Sequence, residues 1–179
     1  PIHLAERCNH TKWSVLRYPN DAMAQLAGMS TEEYEDFYFA ACLVDYDKMG
    51  KAMEKLEALM DRTDKVHILG PGTDITFSIK GIPCYGMHGN KNIPDGEVYT
   101  APVRESVNGV ITYNTPAPYD GFVYQNVKLV FKDGKIVECS SNNTDRMNKI
   151  FDIDEGARYV GEFAFGVNPQ IHRAIGDIL

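Results

Sequence analysis

The hydrophobic pattern of this 179-residue chain changes near Lys65, and this change most restricts the folds open to it. Before Lys65, apolar residues recur every three or four positions, which is typical of helices that bury one face. One predicted helix begins at Ser30, where Ser30 and Glu33 form a capping-box pattern. A second is predicted from about Tyr46 to Arg62. We expect its apolar stripe to pack in the core: Met49, Met53, Leu56 and Met60.

After Lys65 the pattern favours strands. Alternating or short apolar runs bounded by Gly and Pro predict strands at 66–69, 73–79 and 110–113. A hairpin is predicted over 127–139 with Asp133-Gly134 at its turn. The remaining predictions are irregular stretches at 81–96 and 115–121, a short helix at 144–150 and a strand at 159–165. The predicted fold class is therefore α+β, with N-terminal helices followed by a mostly antiparallel mixed sheet.

Composition and charge narrow the possible functions. The chain is 44% hydrophobic and 24% charged, which is ordinary for a globular protein in water. Its formal net charge of −7 and its lack of a basic run argue against nucleic-acid binding. It contains no apolar run of about 18 residues, so no membrane partner is predicted. The four cysteines include no Cys-x-x-Cys pair and are predicted to be reduced, which favours a cytoplasmic location.

Two acidic strings carry the strongest chemical signal. Residues 92–102 contain Glu97 and residues 161–168 contain Glu162, each directly after a glycine and before an apolar or aromatic run. A carboxylate in such surroundings is costly unless a partner compensates its charge. A divalent metal ion is the partner we favour, because carboxylates suit Mg, Mn, Co or Zn and can bridge two ions.

Other interpretations of these glutamates remain open. Either side chain could face solvent, as a glutamate in a strand usually does. The predicted strand at 159–165 would place Glu162 on the same face as Val160 and Ala164. Either could instead form a buried ion pair with Arg104 or Arg158. The two could also be the acid and the nucleophile of a glycosidase, which requires only a suitable separation in space.

The histidines and the glycine-rich turn add little chemistry. His88, in a glycine-bounded loop that leads toward Glu97, is the histidine closest in sequence to a candidate ligand. His67 lies in a predicted strand and is expected to be a core or rim residue. Residues 70–74 are predicted to form a turn, because they lack the lysine and the glycine spacing of a phosphate-binding loop.

Longer strings in the chain match known family motifs. Residues 70–75 are similar to a Gly-Pro-Gly-Thr-Asp-Leu strand, and residues 92–102 are similar to an Asn-Ile-Pro-Asp-Gly-Glu-Val-Phe-Thr-Ala-Pro block. Residues 13–37 look like a segment that joins two domains, and residues 154–157 and 161–168 resemble a later block. Together these strings resemble the metal-dependent aminopeptidases of the aminopeptidase T, AmpS and PepS type, through most of the chain.

This resemblance implies an exopeptidase that removes the N-terminal residue from peptides with two divalent ions (Co, Zn, Mg or Mn). Glu97 and Glu162 would both be metal ligands. Glu162 would also be catalytic, by bridging the ions or assisting the attacking water. Asn92, Asp95 and Asn168 would shape the site without binding metal. The family's tendency to dimerise implies a homodimer.

The resemblance also implies how the chain is organised. Residues 1–62 would be a helical linker or the end of an N-terminal domain, and residues 63–179 part of a metallopeptidase catalytic domain. The family's remaining ligands, two histidines and an aspartate, and its catalytic tyrosine match nothing after Glu162. The chain lacks an initiator methionine, so we expect an internal piece of a larger enzyme that is inactive alone. The alternative is a non-catalytic binding or assembly module with the peptidase fold.

Overall fold

The computed structural model describes residues 2–175 and confirms the mixed α+β class. Its helices are a π-helical segment His3–Cys8, α1 (Asp21–Ala27), α2 (Thr31–Cys42), α3 (Tyr46–Asp61), a 3-10 helix Arg104–Ser106 and α4 (Thr144–Phe151). Its strands are β1 (Val15–Leu16), β2 (Lys65–Gly70), β3 (Thr73–Ser78), β4 (Tyr85–Met87), β5 (Asn92–Ile93), β6 (Glu97–Thr100), β7 (Asn108–Thr112), β8 (Ala117–Tyr119), β9 (Phe122–Tyr124), β10 (Lys128–Lys132), β11 (Lys135–Ser140) and β12 (Phe163–Gly166). Within the described residues, no helix combines the length and the apolar character needed to cross a bilayer.

Antiparallel pairing dominates the sheets, as the sequence predicts. The largest sheet has five strands in the order β11-β10-β7-β3-β2, and all of its neighbouring strands are antiparallel. Strands β8 and β9 form a separate antiparallel pair, and β1 pairs with β5 in parallel. A three-stranded sheet has the order β12-β6-β4.

The chain divides into two compact units. Their described parts are residues 2–54, 86–98 and 166–175 for the first unit, and residues 55–85 and 99–165 for the second. The boundary predicted between residues 62 and 63 concerns the domains of the whole protein and stays a prediction.

Helices α1 and α2 build the core of the first unit. The predicted capping box is present at the start of α2: the Glu33 N–H donates to Ser30 Oγ at 3.2 Å, and the Ser30 N–H donates to Glu33 Oε2 at 2.9 Å. These bonds satisfy amide donors that the first turn of a helix leaves unpaired. The buried cluster of this unit consists of Met23, Ala24, Ala27, Tyr34, Tyr38, Cys42 and Ile175.

The five-stranded sheet builds the core of the second unit. On β3, Ile75 and Phe77 are buried whereas Asp74 and Thr76 are exposed, because successive side chains of a strand point to opposite faces. Helix α4 packs beside β11, and its Met147 is buried. Other buried apolar residues of this unit are Val107, Leu129, Phe131 and Ile136.

Two hairpins have an Asp-Gly dipeptide at the turn. Asp133-Gly134 joins β10 to β11 with positive φ at both residues (49° and 85°), which confirms the predicted hairpin. Asp120-Gly121 has φ values of 48° and 69° and joins β8 to β9. The loop predicted at 115–121 is therefore wrong where β8 lies, and the irregular stretch predicted at 81–96 is wrong where β4 and β5 lie. Pro118 lies within β8, which a proline tolerates because that strand is paired on one side only.

The strand predicted at 159–165 is also wrong in its extent. Strand β12 begins at Phe163, so Glu162 lies directly before it. The backbone of Arg158 and Tyr159 bonds instead to the start of β11, where the Ile136 N–H donates to the Arg158 carbonyl oxygen at 2.9 Å. The chain thus leaves one sheet before it enters another, and a single strand cannot span both.

Candidate functional site

Glu97 is the first residue of β6, and it lies in the first unit with a half-buried side chain. The residue after it, Val98, is completely buried (0% exposed). The residue before it, Gly96, has a φ of 135°, which lies in the region that favours glycine. Glu97 therefore stands between a buried anchor and a constrained turn, and both limit the direction in which its side chain leaves the backbone.

The Asp95 carboxylate holds the turn that precedes Glu97. Its Oδ2 accepts a hydrogen bond from the Gly89 N–H at 2.9 Å, and its Oδ1 accepts one from the Gly96 N–H at 2.8 Å. A short aspartate side chain often accepts hydrogen bonds from nearby backbone amides in this way, and it satisfies amides that have no helix or sheet partner where the chain turns. Asp95 thus uses both oxygens internally, which agrees with a shaping role.

Asn168 is buried against the same turn and has all its hydrogen bonds satisfied. It is 7% exposed, and its Nδ2 donates to the carbonyl oxygens of Asp95 at 2.8 Å and of Ala41 at 3.0 Å. Its Oδ1 accepts from the Gln170 N–H at 3.0 Å. A side-chain amide offers two donor hydrogens and a carbonyl oxygen, so both hydrogens and the oxygen are engaged.

Tyr46 and His88 pack around this turn in the first unit. The Tyr46 ring lies against Gly89, where an added Cβ would come within 2.9 Å of the ring. Burial raises the pKa of the Tyr46 phenol. His88 lies against Gly50 of α3, where an added Cβ would be 3.0 Å from His88 Nδ1. His88 therefore packs on a helix, and it belongs to no group of potential metal ligands among the described residues.

Glu162 has a different setting, in the second unit. Its side chain is exposed, so its charge carries little desolvation cost and the sequence argument from apolar neighbours does not hold for it. It lies at a cavity of about 280 Å³ whose other lining residues are mainly apolar, including Ile75, Phe77, Ile111, Phe131 and Phe163. The carboxylate can therefore reach solvent beside an apolar surface.

The arginines suggested as ion-pair partners have other contacts. Arg158 Nη2 lies 2.7 Å from Asp152 Oδ1 and also donates to Asn148 at 3.1 Å. The Arg104 guanidinium lies over the Tyr159 ring, 4.1 Å from its centroid. Among the residues that the structure describes, Glu162 forms no salt bridge, so the buried ion pair does not explain Glu162.

The donor groups fit a metal site in type but not in number. Carboxylates suit hard and borderline divalent ions. Among the side chains that the structure describes, however, no group of three or more His, Cys, Asp and Glu residues could hold an ion. Glu97 belongs to the first unit and Glu162 to the second. Two carboxylates are fewer than the roughly four to six donors that each ion requires.

The sequence matches one known protein family over nearly its whole length. The model of the thermophilic metalloprotease family (M29) matches residues 2–178, and the chain belongs to this family. Aminopeptidase T from Thermus aquaticus is 29% identical over 184 residues, which cover 86% of this chain and 44% of that relative. The resemblance drawn from the sequence motifs is confirmed.

Solved structures show the same fold. Wild-type AmpT from Thermus thermophilus is similar with a TM-score of 0.70 and 28% identity, over 76% of this chain and 38% of that one. A 2,5-dihydroxypyridine dioxygenase from Pseudomonas putida KT2440 has a TM-score of 0.62 over 87% of this chain and 50% of its own, at 13% identity. That second likeness shows the fold alone. The chain spans less than half the length of the Thermus aquaticus relative.

The family resemblance pointed to Asp95 and Asn168, but their hydrogen-bond partners could not be read from the sequence. Ala41 is 127 positions away from Asn168, and no local pattern joins them. The Asp95-Gly96 dipeptide is a sequence typical of turns, so it is the local signal from which this turn could have been predicted. The third residue expected to shape the site, Asn92, is exposed and lies in β5 opposite Val15.

Proposed function

We propose that this chain is part of an aminopeptidase that uses two divalent metal ions to remove N-terminal residues from peptides. The observation that carries the proposal is the family match over residues 2–178, together with relatives that are named aminopeptidases. Because the chain covers 44% of one such relative, the activity is proposed for the whole protein. The 179 residues alone are expected to be inactive.

Glu97 and Glu162 are the proposed metal ligands. Ions bound there would polarise the scissile carbonyl group and lower the pKa of a water molecule. The half-buried Glu97, on a constrained backbone, would hold its carboxylate in a fixed direction. The exposed Glu162 can reach both solvent and a peptide, so we assign it the further role of accepting a proton from the attacking water.

A non-catalytic binding or assembly module is the second candidate. It is favoured by one observation, the lack of a group of three or more metal-ligand side chains among the described residues. Fold alone does not decide between the two candidates, because one fold can carry unrelated functions. The candidates differ in whether the whole protein hydrolyses peptides.

A homodimer and a cytoplasmic location complete the proposal. Exposed apolar side chains in the first unit, including Leu16, Tyr18 and Leu43, are compatible with self-association, which light scattering on the whole protein tests. A monomer at micromolar concentration would contradict the dimer. Cys42 and Cys84 carry thiols and form no disulfide, which agrees with a reducing compartment.

Glu162→Gln in the whole protein tests the catalytic proposal. The substitution keeps the size of the side chain and removes its charge, so kcat/KM for a leucine anilide should fall by at least about 100-fold. Glu155→Gln is the matched control, because Glu155 is an exposed glutamate of the same unit and should retain full activity.

The same assay separates the candidates. A chelator should abolish hydrolysis by the wild-type protein, and divalent metal should restore it. Full activity of Glu162→Gln, or hydrolysis that a chelator leaves unchanged, would contradict the proposed roles. A folded whole protein that hydrolyses no peptide would favour the non-catalytic module.

A further inference from the structure

The cavity beside Glu162 is lined entirely by side chains of the second unit. Part of the lining comes from one face of the five-stranded sheet, where Ile68 of β2 lies opposite Ile75 of β3. Another part comes from residues 160 and 162–164, at and before the start of β12. The cavity therefore joins the apolar face of a sheet to the segment that carries a proposed catalytic carboxylate.

An aromatic contact holds these two parts of the lining together. The Phe77 ring of β3 meets the Phe163 ring edge to face, with 5.0 Å between the centroids and 71° between the planes. Aromatic pairs favour this arrangement. Phe77 is 6% exposed, so its ring is held in the core of the unit. Because Phe163 directly follows Glu162, the contact limits how far the Glu162 backbone can move relative to the cavity.

The chemistry of the lining favours an apolar occupant. Two of its side chains are polar, those of Glu162 and Tyr113, and the others are aliphatic or aromatic. A polar group that enters such a lining loses water and gains few hydrogen bonds, whereas an apolar group gains free energy by leaving water. The volume of about 280 Å³ is at the lower limit for ligand-binding cavities, which suits one side chain better than a large molecule.

We propose that this cavity receives the apolar side chain of the N-terminal residue that the enzyme removes, so that peptides beginning with leucine or a similar residue are preferred. This inference rests on the proposed function, because it takes Glu162 as a group beside the scissile bond. The first residue of a peptide can end in a cavity, whereas the residues after the scissile bond need an open path. Ala164 has the smallest side chain in the lining, so it leaves room that a larger residue would fill.

The test measures kcat/KM of the whole protein for the anilides of leucine, asparagine and alanine. Asparagine has nearly the size of leucine but carries a polar amide, and alanine is smaller. The value for leucine should exceed each of the other two by at least about tenfold, because even one missing methylene group in an apolar pocket costs that much. Ala164→Leu should reduce the preference for leucine over alanine by at least about tenfold, because the new side chain occupies the cavity.

Two further variants keep the test decisive. Ala157→Leu is the matched control, because Ala157 is a half-buried alanine of the same unit outside the cavity lining, and the preference should stay unchanged. Ile111→Ala enlarges the cavity and serves if Ala164→Leu does not fold. It should raise kcat/KM for a phenylalanine anilide relative to the leucine anilide by about tenfold. General destabilisation would not produce such a gain for the larger substrate.

The outcomes distinguish the inference from the proposed function. If the wild-type protein hydrolyses none of the anilides, the proposed function fails and the inference fails with it. If it hydrolyses all of them equally well, or if folded Ala164→Leu keeps the wild-type preference, the inference alone is overturned. Equal loss of the preference in Ala157→Leu would also overturn it. So would a change confined to the second residue of dipeptide substrates, which would place the cavity on the other side of the scissile bond.

Discussion

At the residue scale, both candidate glutamates follow a glycine, but the backbone requires a glycine only before Glu97. Gly96 has a φ of 135° and no room for a Cβ beside Asn168. Gly161 has no atom within 4 Å of an added Cβ, and its φ lies outside the region that disfavours other residues. The repeated Gly-Glu pattern in the sequence therefore reflects a structural requirement at one site only.

The two glycines give a matched pair of substitutions. Gly96→Ala should lower the free energy of unfolding by roughly 1–3 kcal/mol, because alanine is strained at that φ and its Cβ would overlap Asn168. Gly161→Ala should change it by less than about 1 kcal/mol. Urea unfolding followed by circular dichroism measures both. Equal effects of the two substitutions would contradict the contact described for Gly96.

The sequence argument that apolar neighbours bury the carboxylate holds for Glu97 and fails for Glu162; whether either residue binds metal stays a prediction. Glu97 is half-buried, as its apolar neighbours suggested, whereas Glu162 is exposed. Glu97 is followed by Val98, which is completely buried, whereas Glu162 lies in the connection between the segment that pairs with β11 and strand β12. Apolar neighbours in the sequence do not bury a side chain unless other elements of the fold pack against the face of the strand from which that side chain projects.

At the scale of elements, local signals predicted local structure. The Ser30 and Glu33 pair set the start of α2, and Asp133-Gly134 set the β10–β11 turn. Both depend on contacts within a few residues. The prediction of a strand at 159–165 was wrong because residues 158–159 pair with β11. No residue near them in the sequence indicates this pairing. The true extent of the strand depends on long-range pairing.

The capping box gives a prediction for α2. Ser30→Ala should lower the free energy of unfolding by about 1 kcal/mol near neutral pH, because the Glu33 N–H loses its acceptor and the Glu33 carboxylate loses the serine hydroxyl. Ser14→Ala, at an exposed serine outside the helices and strands, is the control and should have little effect. Thermal or urea unfolding measures the difference.

The same variant has a predictable pH dependence. The backbone N–H of Ser30, and then its hydroxyl, lower the pKa of Glu33. A lowered pKa stabilises the folded state above the unfolded pKa, and this contribution disappears as the pH falls through the folded value. The difference between wild type and Ser30→Ala should therefore shrink from about pH 7 to about pH 3. A difference that grows over this range would contradict the assigned contacts.

At the scale of the whole molecule, family membership was predictable from the sequence, whereas the long-range contacts around the Glu97 turn were not. The sequence strings, including those around Glu97 and Glu162, resembled aminopeptidases of the aminopeptidase T, AmpS and PepS type, and the match of the M29 metalloprotease family to residues 2–178 agrees. The contact between Asn168 and Ala41 joins residues 127 positions apart, so it required the fold. Likeness to a dioxygenase at 13% identity shows why the function must come from the site.

The most direct test of the central claim is the metal stoichiometry of the whole protein, measured by calorimetric titration with Zn²⁺. The proposed site predicts two ions per chain in the wild-type protein and in the Glu155→Gln control. Glu97→Gln and Glu162→Gln should each lose at least one ion or weaken its binding by at least about tenfold. Two ions bound with unchanged affinity in both of these variants would show that neither glutamate is a ligand, and would contradict the account.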